Sequence, residues 1–445
     1  MTDSLLDLAA SLVKRAKQKG AGAADAVAVD RRDTEVGIRE GNLEKLEQAE
    51  SREAGLRVFV GQSSAVISGS VLDTAGLDRL AEMAIAMARA APPDPYAGLA
   101  DQAQTGKSTA PLDLETGELP GVAELERWSR DAEATALAVP GVTKSSGGGA
   151  SAARREIALV TSNGFAGSYA RTSVGFSISV IAGAGTTMER DYEYSAALHP
   201  SDLKTPEEVG RVAGERAARR INPRKIKSQS VPVIFERRVA SSFVGHLVSA
   251  ILGSAIARRS SFLQNSLNEI IMPPEIDIVD DPHMIRGLAS RPFDGEGLAG
   301  SALKIVENGR LSSWLLDLHA ARQLGLKPTG HASRGISNPP SPSSSNVYMK
   351  NGTVDPRALI QDIKSGVYVT ELIGMGVNMV TGDYSRGAAG FWIENGELAF
   401  PVSEITVAGN LKDIFRNMTP ANDLEFRSAT NAPAIRIDGL TIAGS

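Results

Sequence analysis

Residues 231–258 read VPVIFERRVASSFVGHLVSAILGSAIAR. The first five are apolar enough for a short strand, and a helix is expected over 237–258. Its apolar residues Val239, Phe243, Val244, Leu247, Ile251 and Ile256 fall on most sides of a 3.6-residue period. A helix apolar nearly all round is buried, so this one should lie inside a core. The sequence downstream reads as strands. Asn308-Gly309, Asn351-Gly352 and Asn395-Gly396 are hairpin signals between alternating runs. Residues 226–445 are therefore expected to be a mostly β C-terminal domain around a buried helix. The tract 337–345 carries three prolines and five serines and should be a mobile or extended loop.

Upstream, two helix–sheet units are expected. In the first, residues 1–91, Leu5, Leu8, Leu12 and Ala16 recur at helical spacing before Gly20. Strand patterns follow at 24–30, 34–39, 43–51, 55–60 and 64–70, and a helix at 74–90 is ended by Pro92 and Pro93. Residues 92–120 read as a linker or extended segment. In the second unit, residues 121–225, a helix carries Leu125, Trp128 and Ala132 on one face. Strands at 155–162 and 165–182 meet at Asn163-Gly164. Thr205-Pro206-Glu207-Glu208 then opens a helix, with threonine as N-cap and proline at the first helical position. A boundary falls at 222–230. The fold class is α+β: antiparallel-sheet and helix units, then the mostly β domain.

The formal net charge is -5 over 445 residues. Such a protein has no general attraction for nucleic acid or anionic lipid. The basic run 211–227 is read as the solvated face and end of a helix, where cations complement the dipole. There is no cysteine, which excludes disulfides, thiolate catalysis and sulfur-ligated zinc. The N-terminus is broken by Asp3, Asp7 and Lys14 and does not read as a signal peptide. A soluble, cytoplasmic protein is expected, with neither nucleic acid nor membrane as partner.

Most chemical signatures are missing. None of His199, His246, His283, His319 and His331 is followed by Glu, so no His-Glu-x-x-His helix exists. No serine sits in a Gly-x-Ser-x-Gly elbow. Asp101 occupies the place of a phosphate loop's first glycine before Lys107-Ser108. Gly20-Ala21-Gly22 lacks the third glycine of a dinucleotide fingerprint. Two clusters stand out. The glycine-dense stretch 376–391 contains Gly382, Asp383, Ser385, Arg386, Gly387 and Gly390. Its backbone is a candidate for pairing with an extended peptide, and tight turns or close strand packing are the competing reading. The other, Thr329-Gly330-His331-Ala332-Ser333-Arg334-Gly335, reads as a surface loop.

Three longer stretches resemble the TldD/PmbA family in the same order along the sequence. They are REGNLEKLEQAESREAGLRVFVG (39–61), DDPHMIRGLASRPFDGEGLAGSALKIVENGRL (280–311) and VTGDYSRGAAGFWIENGELAFPVSEITVAGNL (380–411). The family's TldD-type subunit resembles a metallopeptidase with a His-Glu-x-x-x-His helix and a cysteine near the C-terminus. The matching helix here reads Ser241-Ser242-Phe243-Val244-Gly245-His246. Only His246 matches; Ser241 replaces a ligand and Ser242 the general base. The resemblance thus implies a PmbA (TldE)-like subunit with no catalytic residue and no metal or other cofactor of its own. Its implied partner is a TldD-type subunit carrying zinc. Its implied substrates are extended peptides, in roles such as peptide-precursor maturation or antitoxin degradation. Two alternatives stay open, an independent non-metal hydrolase and a gyrase-associated regulator, and the residues leave self-association open.

One imidazole cannot build a zinc site. The protein purified without a histidine tag is therefore expected to carry no stoichiometric zinc. Elemental analysis checks this; one tightly held transition metal per molecule, lost in His246→Ala, is the contrary result.

Overall fold

The computed structural model describes residues 4–444. Helix α1 (Leu5–Gln18) starts at Ser4, whose side chain accepts from the Asp7 N–H, and buries Leu5, Leu8, Leu12 and Ala16. It is followed by β1 (Ala23–Arg39), β2 (Asn42–Val60), β3 (Ser63–Gly69) and α2 (Thr74–Ala90). The second unit is α3 (Val122–Leu137), β4 (Val142–Thr161), β5 (Ala166–Ala182), β6 (Glu189–Ala197) and α4 (Pro206–Arg219). Four expected short strands merge into β1 and β2. The charged residues between them interrupt the apolar pattern but not the ladder, since Asp30 pairs with Arg52 and Arg31 with Ser51.

The two units share one antiparallel sheet, in the order β3-β2-β1-β4-β5-β6. β1 and β4 join them from Asp25 opposite Thr161 to Ile38 opposite Gly148. Helices α1 and α2 pack over Ala24, Ala26, Leu56 and Val58. Further along, α3 and α4 pack over Val36, Ile38, Phe176 and Ile178. Even-numbered positions of β1 serve both helix pairs, as the two-residue period of a strand requires.

The remaining sequence begins with β7 (Gln229–Phe235), α5 (Arg237–Ile251) and α6 (Gly253–Ala257). Short strands β8 (Ile278–Asp280), β9 (Leu303–Glu307) and β10 (Arg310–Leu311) follow. After α7 (Leu318–Leu324) come the hairpin β11 (Ala332–Ser333) and β12 (Ser341–Pro342), then β13 (Val347–Met349). The long strands are β14 (Ser365–Ile373), β15 (Asp383–Glu394) and β16 (Glu397–Asn410). The fold ends through α8 (Leu411–Arg416), β17 (Met418–Pro420), β18 (Thr430–Asn431) and β19 (Ile435–Ala443). Strands β16, β15, β14, β7 and β19 lie in sequence, and β16 also pairs with β19, closing a barrel-like ring. Phe243, Val244 and Leu247 of α5 are buried with barrel residues such as Phe235, Val369 and Val407. Phe243 meets Phe235 edge-on at 4.7 Å between ring centroids.

Four expectations change. The helix expected over 237–258 breaks at Leu252, whose ψ of 127° is extended. The neighbouring strand-like segment takes the backbone there: the Gly253 N–H donates to the Leu315 carbonyl at 2.8 Å. Nor is α5 buried all round, because Ser241, Ser242, Gly245 and His246 are only half-buried. Asn351-Gly352 is not a hairpin. Its glycine answers a close approach, since a Cβ on Gly352 would lie 2.1 Å from the Pro420 carbonyl oxygen. Finally, the linker and the Ser/Pro tract are docked. Leu112 and Leu114 are buried, and the Leu112 carbonyl accepts from the Arg286 N–H. Ser345 and Asn346 are buried too, and the Ser345 N–H donates to Asp280 at 2.7 Å. Just before the tract, Arg334 is 1% exposed and pairs with Asp25 of β1 at 2.5 Å. Asp25 also accepts from Arg57 of β2 at 2.5 and 3.0 Å. Among the described residues no helix is long and apolar enough to cross a membrane.

Close to this junction lies a carboxyl with too little compensation. Burial, then the adjacent Asp294, pushes Glu296 from the ordinary 4.5 up to about 8, against the pull of Arg57 and the Leu318 N–H. Its folded pKa is raised, so its contribution to stability is complete below the unfolded value and is lost as pH rises through 8. The melting temperature should therefore fall more steeply between pH 5 and 8 (roughly, from the unfolded value to the folded one) for the parent protein than for Glu296→Gln. Thermal melts across that span check this; parallel curves contradict it.

Candidate functional site

Strand β6 is an edge of the N-terminal sheet, and side chains use up that edge. The Tyr192 and Tyr194 N–H groups donate to Asp191 Oδ1 and Glu193 Oε1, both at 2.8 Å. The carbonyls of Arg190, Tyr192 and Tyr194 accept from Arg220, Arg238 and Arg427 at 2.9, 3.0 and 3.0 Å. The same cations close ion pairs. Asp191 meets Arg238 at 2.7 Å and Arg220 at 3.3 Å, and Glu193 meets Arg216 and Arg427. Burial alone would raise the Asp191 pKa, but Arg238, the Tyr192 N–H and Arg220 hold it below the usual carboxylate range. Glu193 is held low likewise, by Arg216, the Tyr194 N–H and Arg427 against its burial.

The basic run of α4 is thus not simply a solvated face. Arg220 is buried and meets Glu371 at 2.5 Å. Arg219 lies over Phe391, and Arg224 over Phe400 at 4.6 Å. The aromatic partners come from the barrel, so no local pattern announced them. A second signal was overlooked: Glu189, Asp191 and Glu193 alternate along β6. Three acids at period two on a strand call for a basic counter-surface.

A cleft of about 520 Å³ opens where this edge meets α5 and the barrel. Arg190 and Tyr192 of β6 line it, with Ser241, Ser242 and Gly245 of α5 and Arg386 of β15. The Ser241 and Ser242 hydroxyls donate back to the Arg238 and Val239 carbonyls at 3.3 and 2.6 Å. His246 Nε2 is buried without a partner, and the imidazole lies 6.0 Å from the Tyr384 ring between centroids. Burial, then the nearby Arg386, lowers its pKa to about 4. The ring is therefore neutral at physiological pH.

The glycine-dense stretch is not one surface. β15 pairs with β14 on one side and β16 on the other. At its start the Ser385 N–H donates to the Gly376 carbonyl at 2.7 Å, so little backbone there remains free for a peptide. Gly382 takes φ +87° before the strand, and Asp383 is tied to Thr381 and Asn410. A Cβ on Gly390 would sit 1.9 Å from the Tyr368 carbonyl oxygen, and one on Gly387 3.3 Å from Ile373 Cβ. Ser385 is exposed. Of the six, Arg386 lines the cleft beside Ser241 and Ser242. His331, expected on a surface loop, is buried between Asp280 and the Thr329 carbonyl.

Three domain descriptions match the sequence in order. They are PmbA/TldA metallopeptidase domain 1 at residues 24–88, the central domain at 116–221 and the C-terminal domain at 228–444. The chain belongs to the PmbA/TldD family. It is 38% identical to Metalloprotease PmbA of Escherichia coli O157:H7, over 92% of this chain and 89% of that one. It is 35% identical to a PmbA homologue of Haemophilus influenzae, over 96% and 93%. A crystal structure from Bacteroides thetaiotaomicron, named for modulation of DNA gyrase, superposes with a TM-score of 0.91 at 27% identity, over 99% and 98% of the two proteins. TldE from Thermococcus kodakarensis shares the fold, with a TM-score of 0.86 at 18% identity over 98% and 99%. The fold and the family are therefore those of PmbA/TldE-like proteins.

Within this PmbA/TldE-like protein, α5 does not fit the zinc that the family name implies. Zinc needs three or four converging nitrogen, sulfur or carboxylate donors. Here the Ser241 and Ser242 hydroxyls are bonded to their own helix, and His246 is a single imidazole. No group of three or more His, Cys, Asp or Glu converges among the described residues. His246 is expected to titrate near pH 4 by NMR, and Arg386→Met should raise that value by removing the weaker of its two causes. An imidazole titrating in its ordinary range, near 6.5, contradicts the desolvated geometry.

Proposed function

We propose that this protein is the non-catalytic, substrate-presenting subunit of a PmbA/TldD-type metallopeptidase complex. Its partner is a TldD-type subunit that supplies the zinc. The observation that carries the reading is the pair Ser241 and Ser242 on α5, with both hydroxyls turned back onto helix carbonyls. The scaffold is retained and the donors are not. A subunit of that kind is useful as one wall of a shared cleft, and its substrates are unstructured peptides, such as peptide precursors or antitoxins. The lack of cysteine fits work in a reducing cytoplasm. An independent hydrolase lacks support, since neither a serine elbow nor a thiol is present. A DNA-directed role lacks support from a net charge of -5.

Mixing this protein with a TldD-type subunit is expected to yield endopeptidase activity on an unstructured peptide, while this protein alone yields none. Treating each subunit with chelator before mixing locates the metal. Stripping the partner should abolish cleavage, and stripping this subunit should leave it intact. Chelator-resistant cleavage by this subunit alone overturns the reading.

A further inference from the structure

The cleft beside α5 contains several charges, and most are already matched. Arg238 is committed to Asp191 at 2.7 Å. Arg190 faces Glu371 at 3.0 Å, and Glu371 also holds Arg220. Arg386 differs. It reaches the cleft from β15, yet it has no hydrogen bond, ion pair or ring contact among the described residues. Its Nε is sealed from solvent without an acceptor.

The serine face of α5 offers Arg386 no charged partner. The Ser241 and Ser242 hydroxyls give their protons to the helix backbone. Gly245 leaves open space, since a Cβ there would meet nothing within 4 Å. Tyr384 shares the Arg386 face of β15 at the two-residue period. Its hydroxyl is buried and bonds to nothing, Arg386 included.

An unpaired, half-buried cation attracts an anion, because protein on part of its surroundings lowers the local dielectric. One uncompensated charge matches a monoanion. A dianionic phosphate would leave a negative charge beside the partly buried Glu371. The planar guanidinium fork fits the two oxygens of a carboxylate. We infer that Arg386 anchors a carboxylate-binding subsite in this cleft. Its ligand is a peptide carboxylate, either a free C-terminus or an Asp or Glu side chain. That a peptide bears the carboxylate rests on the substrate-presenting role proposed above, whereas the anion site rests on the cleft alone.

Calorimetric titration of the full-length protein with three short peptides tests this. The probes are acetyl-trialanine with a free carboxylate, its C-terminal amide, and acetyl-Ala-Glu-Ala-amide. At least one acid-bearing peptide is expected to bind roughly tenfold or more tightly than trialanine amide. Which acid wins identifies the source of the carboxylate. Arg386→Met should remove the difference and Arg386→Lys should keep part of it. Arg258→Met, at an exposed position, should leave it unchanged. If the methionine variant fails to fold, the acid-against-amide difference in the parent protein and the lysine variant still decide. Equal affinity for acid and amide, no binding of either acid, or an acid preference that survives Arg386→Met overturns the subsite. An acid preference found while mixed subunits cleave nothing leaves the subsite standing and removes the subunit role.

Discussion

The arrangement of the molecule depends on the buried arginine–carboxylate network along β6. Asp191 and Glu193 come from the N-terminal sheet, Arg216 from α4, Arg220 from its C-cap, Arg238 from α5, and Arg427 from the segment before β18. Withdrawing each such ion from water costs several kcal/mol, on the order set by Born solvation. The cost is offset only if every group finds partners in good geometry. Here the carboxylates also cap two edge N–H groups, and the guanidiniums cap three edge carbonyls. One set of contacts therefore closes the sheet edge, compensates the charges and holds the sheet against the barrel. Removing a single partner would strand a charge, a loss of about 3–5 kcal/mol at buried sites generally. A ready template for strand pairing is closed in the process.

A second junction lies at Asp25, Arg57 and Arg334, and its charge balance differs. Asp25 stays below the usual carboxylate range because, against its burial, it has two arginines. Nearby Glu296 and Asp294 are buried beside one another, and both are pushed upward. Burial is similar in both places, and the number of cations within reach decides the protonation state. Gly55 belongs to this junction as well. A Cβ there would lie 1.9 Å from the Ile336 carbonyl oxygen, so the docked loop requires glycine in β2.

The first of these junctions borders the cleft. The cleft inherits Arg190 and Tyr192 from the sealed edge, the serine face from α5 and Arg386 from the barrel. The neutral His246 and the unpaired Arg386 are two sides of one environment. Burial disfavours a positive charge on His246, and the half-buried cation beside it disfavours it further.

Much of the local structure was legible in the sequence. Thr205 caps its helix as read. The pairs Asn308-Gly309 and Asn395-Gly396 both take positive φ as hairpin turns require. The buried face of α5 followed from its apolar residues. Caps, turns and helical stripes are set by residues within a few positions of one another, so one sequence carries them. Tertiary structure alone decided that two helix–sheet units share one sheet, that the Ser/Pro tract is pinned, and that Arg220 is buried. It alone set Arg386 apart from the other residues of the glycine-dense stretch. Each of these depends on a partner distant in sequence, or on the lack of one, and burial and charge compensation belong to the pair, not to either residue's local pattern.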